Sequence, residues 1–174
     1  MRLFRHILGF AVGISLFAIA LPFGVYYLSQ FTDDLLGLER FGSPGLRLVL
    51  GLPLLLSGLF FALWSNLFLV TRGKGGPADG FGVAISPRTE QLVVTGPYRY
   101  TRNPMVFGAL SAYLSIGVFL GSIGGLVALA VSIPLFVLYL KKTEEKRLTG
   151  DFGKEYEEYR RNVSMIIPLP PREE

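Results

Sequence analysis

Apolar and polar positions along the chain fall into blocks. Residues 7–28, 48–70 and 105–140 contain no Asp, Glu, Lys or Arg, in runs of 22, 23 and 36 positions, so all 30 formal charges sit in the other 93 residues. A hydrocarbon core takes about 20 apolar residues, each rising about 1.5 Å. The first two runs therefore predict one membrane-spanning helix each. The third run is too long for a single span. Near its centre Gly121-Ser122-Ile123-Gly124-Gly125 has the composition of a turn, since glycine tolerates positive φ, and the run reads as a tight helical hairpin. Each arm of about 16 to 18 residues is slightly short of a full span, which calls for tilt or support from neighbours. Pro22, Pro53 and Pro134 lie inside the runs. Membrane helices tolerate such kinks when neighbouring groups satisfy the freed carbonyls.

The predicted fold class is all-α: a polytopic membrane protein with about four transmembrane helices, the last two a tight hairpin, and a cytoplasmic C-terminal helical segment. It reads as a single membrane domain over 1–174, with two spans in 1–70, a polar loop over 71–103, the hairpin in 104–140 and a charged tail over 141–174. Within the loop, residues 73–82 are glycine-rich, and Gln91-Leu92-Val93-Val94 is a short extended candidate. The stretch 141–162 reads as a helix with charges all round and a break at Gly150 or Gly153, and Pro168, Pro170 and Pro171 end regular structure.

Composition agrees with this placement. Of 174 residues 51% are hydrophobic and 17% charged, against about 25% charged in soluble domains, and mean hydropathy is +0.47. With four spans, the N-terminus, the loop and the tail share one side, and that side holds 15 of the 17 Lys and Arg residues; only Arg40 and Arg47 lie opposite. The positive-inside rule then predicts an integral protein of the cell or inner membrane with both termini cytoplasmic. The net charge of +4 is thus a topology signal, and with no basic and aromatic groove pattern no nucleic-acid partner is expected. A basic start and Ala18-Ile19-Ala20 resemble a cleavable signal, but the apolar run continues to Leu28, beyond a usual signal core. No cysteine is present, which removes disulfides and thiolate ligands, and no metal site is predicted. Asp33 and Asp34 read as a solvated outer loop, and the sequon Asn162-Val163-Ser164 falls on the cytoplasmic side, away from glycosylation.

Two polar stretches flank the hairpin. The first, Thr95-Gly96-Pro97-Tyr98-Arg99-Tyr100-Thr101-Arg102-Asn103-Pro104, puts proline at a first helical position and Asn103 at the N-cap. Amide donors and the helix dipole there favour an anionic group, with Arg99 or Arg102 adding charge. Tyr and Arg at the headgroup level, as an interfacial anchor, are the plainer reading of this stretch alone. The second stretch contains Glu144 and Glu145, whose side chains point about 100° apart on a helix and can bracket a ligand lying along it, one suited to a ribose diol and the other to an ammonium group. A solvated charged helix, with pairs such as Glu157 and Arg161, is the plainer reading here. The hairpin returns the chain to one membrane surface and makes the two stretches neighbours, a combination suited to a zwitterionic nucleotide-like cofactor beside an apolar substrate.

Taken together, the first stretch, the hairpin, Glu144-Glu145 with Leu148, then Phe152-Gly153, Glu155-Tyr156 and Tyr159-Arg160 resemble the integral-membrane isoprenylcysteine carboxyl methyltransferases and their phospholipid methyltransferase relatives. The resemblance covers about residues 90–170; the first two spans match only in being apolar. It implies S-adenosylmethionine as methyl donor, held without a Rossmann domain, and indeed no strand followed by G-x-G-x-x-G opens a helix. It implies a cofactor pocket lined by Val94, Gly96, Pro97, Tyr98, Tyr100, Arg102 and Asn103, with Glu144 and Glu145 on the polar groups. Many members have histidine where Asn103 stands, and asparagine does not titrate near neutrality, so no acid or base role is expected there. The only histidine, His6, reads as interfacial.

Transfer from a sulfonium is an in-line displacement that needs alignment and exclusion of water. A carboxylate or thiolate acceptor arrives charged and needs a cation, Arg102 or Arg160; an amine needs a base such as Glu145. Together these three form the expected catalytic set. The partners implied are a small-molecule or lipid substrate and membrane lipids. Phe60, Phe61, Trp64 and Phe68 are candidate walls for its apolar part, and Asn66 is a candidate pocket group or interhelical hydrogen bonder. Two other readings stand beside this one: an NADPH-dependent membrane reductase of the sterol reductase type, usually longer, and a non-catalytic membrane protein.

Overall fold

A computed structural model describes residues 2–75, 79–80, 83–84 and 89–171. Its elements are helices α1 (Arg2–Gly13), α2 (Leu21–Leu36), α3 (Pro44–Thr71), α4 (Pro104–Leu120), α5 (Ile123–Leu140), α6 (Lys146–Phe152) and α7 (Lys154–Asn162), with a two-residue antiparallel ladder of β1 (Asp79–Gly80) and β2 (Val83–Ala84). Three apolar helical stretches are long enough to cross a membrane, His6–Leu36, Pro44–Thr71 and Ile123–Phe152, and α4 is a shorter apolar helix of 17 residues. Large apolar side chains point outward, Leu63 at 73% exposure and Val49 at 69%, while the interfaces bury Ser29, Ser65, Ser111 and Ser115. That inversion is what a lipid surround selects, because packing between helices there rewards small residues.

The first span runs further than its charge-free stretch. A π-helical segment, Ile14–Ala20, joins α1 to α2, and the helix continues through Asp33 and Asp34 to Leu36. Within the π segment the Leu21 N–H reaches Leu16 O, five residues back. One residue on, the matching donor for Phe17 O would be Pro22, which has none. The Tyr113 hydroxyl of α4 donates to that carbonyl at 2.8 Å, so a neighbouring helix supplies what the proline cannot. Asp33 is not solvated: it is buried, and its carboxylate accepts from the Gly124 N–H at 2.8 Å, at the start of α5. A carboxylate at a helix N-terminus is favoured by the unpaired donors and the dipole, and this tertiary partner lets the helix carry an acid into its last turn.

The hairpin forms as its sequence predicts. Gly121 ends α4 at φ 67°, and Ser122 caps α5 by accepting from Gly125 N–H at 2.8 Å. Away from the turn, however, the arms pack on other helices. Antiparallel to α4 lies α3, with Gly51 against Phe119, Gly58 against Gly108 and Ala112, and Phe61 against Phe107. A Cβ on Gly58 would fall 2.7 Å from both Gly108 O and Ala112 N, so the backbones touch and only glycine fits. Against α2 lies α5. Both connections at this far end converge on the hairpin turn: Phe41 N–H donates to Gly121 O at 2.9 Å, and the Arg47 guanidinium donates to Leu120 O at 3.2 Å.

Beyond α5 a π-helical turn, Lys141–Glu145, leads into α6, and Gly153 at φ 54° separates α6 from α7, one of the two predicted break points. The extended candidate at residues 91–94 forms no strand; the ladder lies earlier, β1 inside the glycine-rich stretch and β2 just past it. The rest of that stretch, residues 76–78 and 81–82, lies outside the described residues.

Candidate active site at the open end of the hairpin

The loop before α4 is a compact turn that docks on α3. Gly96 adopts φ 62° with its α-carbon against the Phe68 ring, and Gly96–Arg99 closes a 3-10 turn around the buried Pro97. Tyr100 follows at the surface, its ring centroid 6.5 Å from that of Trp64. Thr101, fully buried, accepts from Asn103 N–H at 3.2 Å. Asn103 occupies the N-cap position, yet its side chain makes no capping bond; its amide instead donates to Met165 O at 2.9 Å. The same carbonyl accepts from the Thr101 hydroxyl at 3.2 Å, while Arg102 N–H donates to Ser164 O at 2.8 Å and Leu169 N–H to Tyr100 O at 2.9 Å. Residues 164–169 are thereby strapped along residues 100–103.

Arg102 points from this loop to the other flank. Its guanidinium donates to the Glu145 carboxylate, with the two side chains only 9% and 10% exposed. A bond spanning 43 positions thus joins the two polar stretches. Around the pair lie Tyr156, 1% exposed, and Tyr159, whose hydroxyl donates to Tyr98 O at 2.6 Å. Arg102 Nε is buried and has no hydrogen-bond partner, an unused donor on an otherwise committed cation. Glu144, half-buried, sits close enough to Tyr98 for its charge to oppose ionisation of the phenol. Burial, first, and that neighbouring charge, second, hold the Tyr98 phenol well above the ordinary tyrosine range. Burial is also the main cause that raises Tyr156 and Tyr159. All three tyrosines therefore remain protonated at neutral pH.

Among the candidate residues, the structure brings together Tyr98, Arg102, Glu144 and Glu145. Gly96 and Pro97 shape the turn, and Asn103 is engaged by the strap. Val94, Tyr100 and Arg160 are exposed, although the Arg160 charge still acts on Tyr156. Asn66 neither reaches this group nor bridges helices: its amide donates to Ala62 O of its own helix at 2.8 Å. Phe60, Leu63, Trp64 and Leu67 form an open, shallow apolar depression of about 300 Å³ on the outward face of α3, with Phe61 behind it against Phe60, Trp64 and Phe107. Phe68 packs instead on Trp64 and under Gly96. Residue-level reading gave no role to Tyr156 and Tyr159. Their spacing of three along α7, which puts both rings on one face, was the available signal. Met165 acts through its carbonyl, for which no side-chain signal exists.

Comparison with known proteins places this arrangement. The phospholipid methyltransferase family profile matches residues 46–155, which takes in α3 as well as the loop, the hairpin and Glu145. Methanethiol S-methyltransferase of Pseudomonas deceptionensis is 31% identical over 132 residues, 75% of this chain and 47% of the relative. Protein-S-isoprenylcysteine O-methyltransferase of Schizosaccharomyces pombe is 33% identical over 90 residues, 51% of this chain and 38% of the relative. Methanethiol S-methyltransferase of Mycobacterium tuberculosis is 31% identical over 75 residues, 43% and 30% respectively. The chain spans less than half the length of these curated relatives. No solved structure matches it significantly. The profile match over more than half the chain, on a membrane-type helical fold whose two polar flanks meet in one buried pair, establishes that this chain belongs to the phospholipid methyltransferase family.

Proposed function

We infer that the chain transfers a methyl group from S-adenosylmethionine to an apolar acceptor presented from the bilayer, at the cytoplasmic face. The observation that carries this reading is the buried Arg102–Glu145 pair at the open end of the hairpin, beside the loop that packs on Trp64. The donor set suits the cofactor: the unused Arg102 Nε is a hydrogen-bond donor for a carboxylate oxygen, Glu145 can take an ammonium group, and Tyr98 with Glu144 offers a phenol and a carboxylate for ribose hydroxyls. When bound, S-adenosylmethionine supplies an electrophilic methyl group, so the protein's work is to align the acceptor and keep water out. Trp64 and Phe60 would guide the acceptor along the α3 depression, and Tyr100 would mark its upper end.

Among acceptors, a thiol is favoured. Tyr98, Tyr156 and Tyr159 are held protonated and so act as donors, and Glu145 is engaged by Arg102. A neutral thiol, like an ammonium, must lose a proton before it reacts, so this set suits a carboxylate or an acceptor that arrives as its thiolate; the names of two of the relatives, which specify S-methylation, select the thiolate. The test is the chain purified in nanodiscs with methyl-labelled S-adenosylmethionine and a panel of thiols, carboxylates and amines of increasing chain length. Label transfer to thiols supports the reading. No cofactor binding, or competition by NADPH alone, overturns it.

A further inference from the structure

The strap that follows α7 is apolar and turns its large side chains outward. From Val163 to Pro171 there is no charged residue, Ile167 is 65% and Leu169 52% exposed, and Tyr100, bonded to Leu169, is exposed as well. Depth decides what these tips face. Helix α3 carries no charge from Leu48 to Val70, and the strap's neighbours dock inside that run: Gly96 on Phe68, and Tyr100 with its ring centroid 6.5 Å from that of Trp64. Trp64 stands eight residues, about 12 Å, short of Arg72. Since Leu169 N–H reaches Tyr100 O at 2.9 Å, Leu169 lies at the level of the last apolar turns of α3, where Leu63 and Leu67 are themselves turned outward. The backbone of the tip suits a place poor in water. Pro168, Pro170 and Pro171 have no N–H, the Leu169 N–H is bonded, and Ile167 O accepts from the Ser164 hydroxyl. Irregular backbone persists beside hydrocarbon only when the protein satisfies its polar groups.

We propose that residues 164–169 are an interfacial anchor, with Ile167 and Leu169 seated at the boundary between headgroups and acyl chains of the cytoplasmic leaflet. The lipid-facing surface of α3 then continues onto the strap, and Trp64 with Tyr100 takes the place that aromatic rings occupy at a membrane–water boundary. Thr101, Arg102 and Asn103 all bond to the strap, so the loop that carries Arg102 is held between α3 and a segment seated in the bilayer. This anchor is independent of the reaction that the site performs.

The experiment uses the absence of native cysteine. Ile167→Cys and Leu169→Cys, each carrying an environment-sensitive fluorophore, are placed in phosphatidylcholine nanodiscs, with a nitroxide on the upper acyl chain as the lipid quencher and iodide as the aqueous one. Both positions are exposed, so the substitutions themselves should leave the thermal midpoint near that of the wild type. Leu63→Cys, on the outward face of α3, marks lipid, and Glu158→Cys, on the exposed side of α7, marks water. Both strap labels are expected to follow Leu63: nitroxide quenching at least about threefold that at Glu158, as a seat about 5–10 Å into the boundary implies, with weak quenching by iodide. Quenching by iodide and none by the nitroxide overturns the anchor. Shielding from both quenchers overturns it too, and assigns the cover of the tips to protein, such as a second copy of the chain.

Discussion

Asn103 shows how a candidate residue can be well placed and differently employed. Its position before Pro104 marks the helix start, as its sequence context requires, but its amide is spent on Met165 O. Asn103→Ala should therefore loosen the strap at residues 164–169 and lower stability by about 1–2 kcal/mol, the cost of leaving a partly buried acceptor short of a donor. Denaturant or thermal unfolding in detergent measures it, and an unchanged midpoint would discount the strap. The tyrosines give a pH signature. Their protonated forms are favoured in the fold, so the stability they contribute is complete below the unfolded phenol value of 10.0 and is lost as pH climbs above it. Thermal midpoints should stay flat through neutrality and fall beyond about pH 10, and the alkaline fall should shrink in Tyr98→Phe. The residue pairings were only partly visible beforehand. Arg102 and Glu145 stood out by type and by their places flanking the hairpin, whereas their mutual bond depends on where two helices end in space.

Helices and turns were more legible than contacts. Charge-free runs and a glycine cluster marked the hairpin because a span and a tight turn both leave compositional traces. The first span was read too short, since two aspartates look like a loop until the start of α5 is brought beside Asp33. Which helices pack together left fainter traces: Gly58 and Gly108 look like ordinary membrane glycines until the backbones of α3 and α4 meet there. Gly58→Leu should wedge those helices apart and cost at least about 1–3 kcal/mol, the usual range for overpacking. Leu63→Ala, on the lipid-facing side, should move the midpoint little. Comparable losses from both would deny the crossing its role.

For the whole molecule, the asymmetry of cations remains the strongest statement about orientation, and the chain offers a clean way to check it. With no native cysteine, single variants Gly150→Cys and Arg40→Cys should react with an impermeant thiol reagent from opposite sides of the membrane, position 150 from the cytoplasm. Labelling from one side would contradict the four-span reading. The α3 depression sets the second expectation at this scale. Leu63→Trp, which fills part of a space of about 300 Å³, should reduce kcat/KM for long-chain acceptors by about tenfold and spare short thiols.

At the far end, Asp33, Phe41 and Arg47 all grip the segment from Leu120 to Gly124. That anchorage fixes the tip of the hairpin, and its arms are held further along their length, α4 by α3 and α5 by α2. An arm of 17 residues is about 25 Å long. A change of about 5° in tilt, imposed by a substitution in the grip at Asp33 or Arg47, would therefore shift its open end by about 2 Å, so a change at the tip would be felt at the Arg102–Glu145 pair.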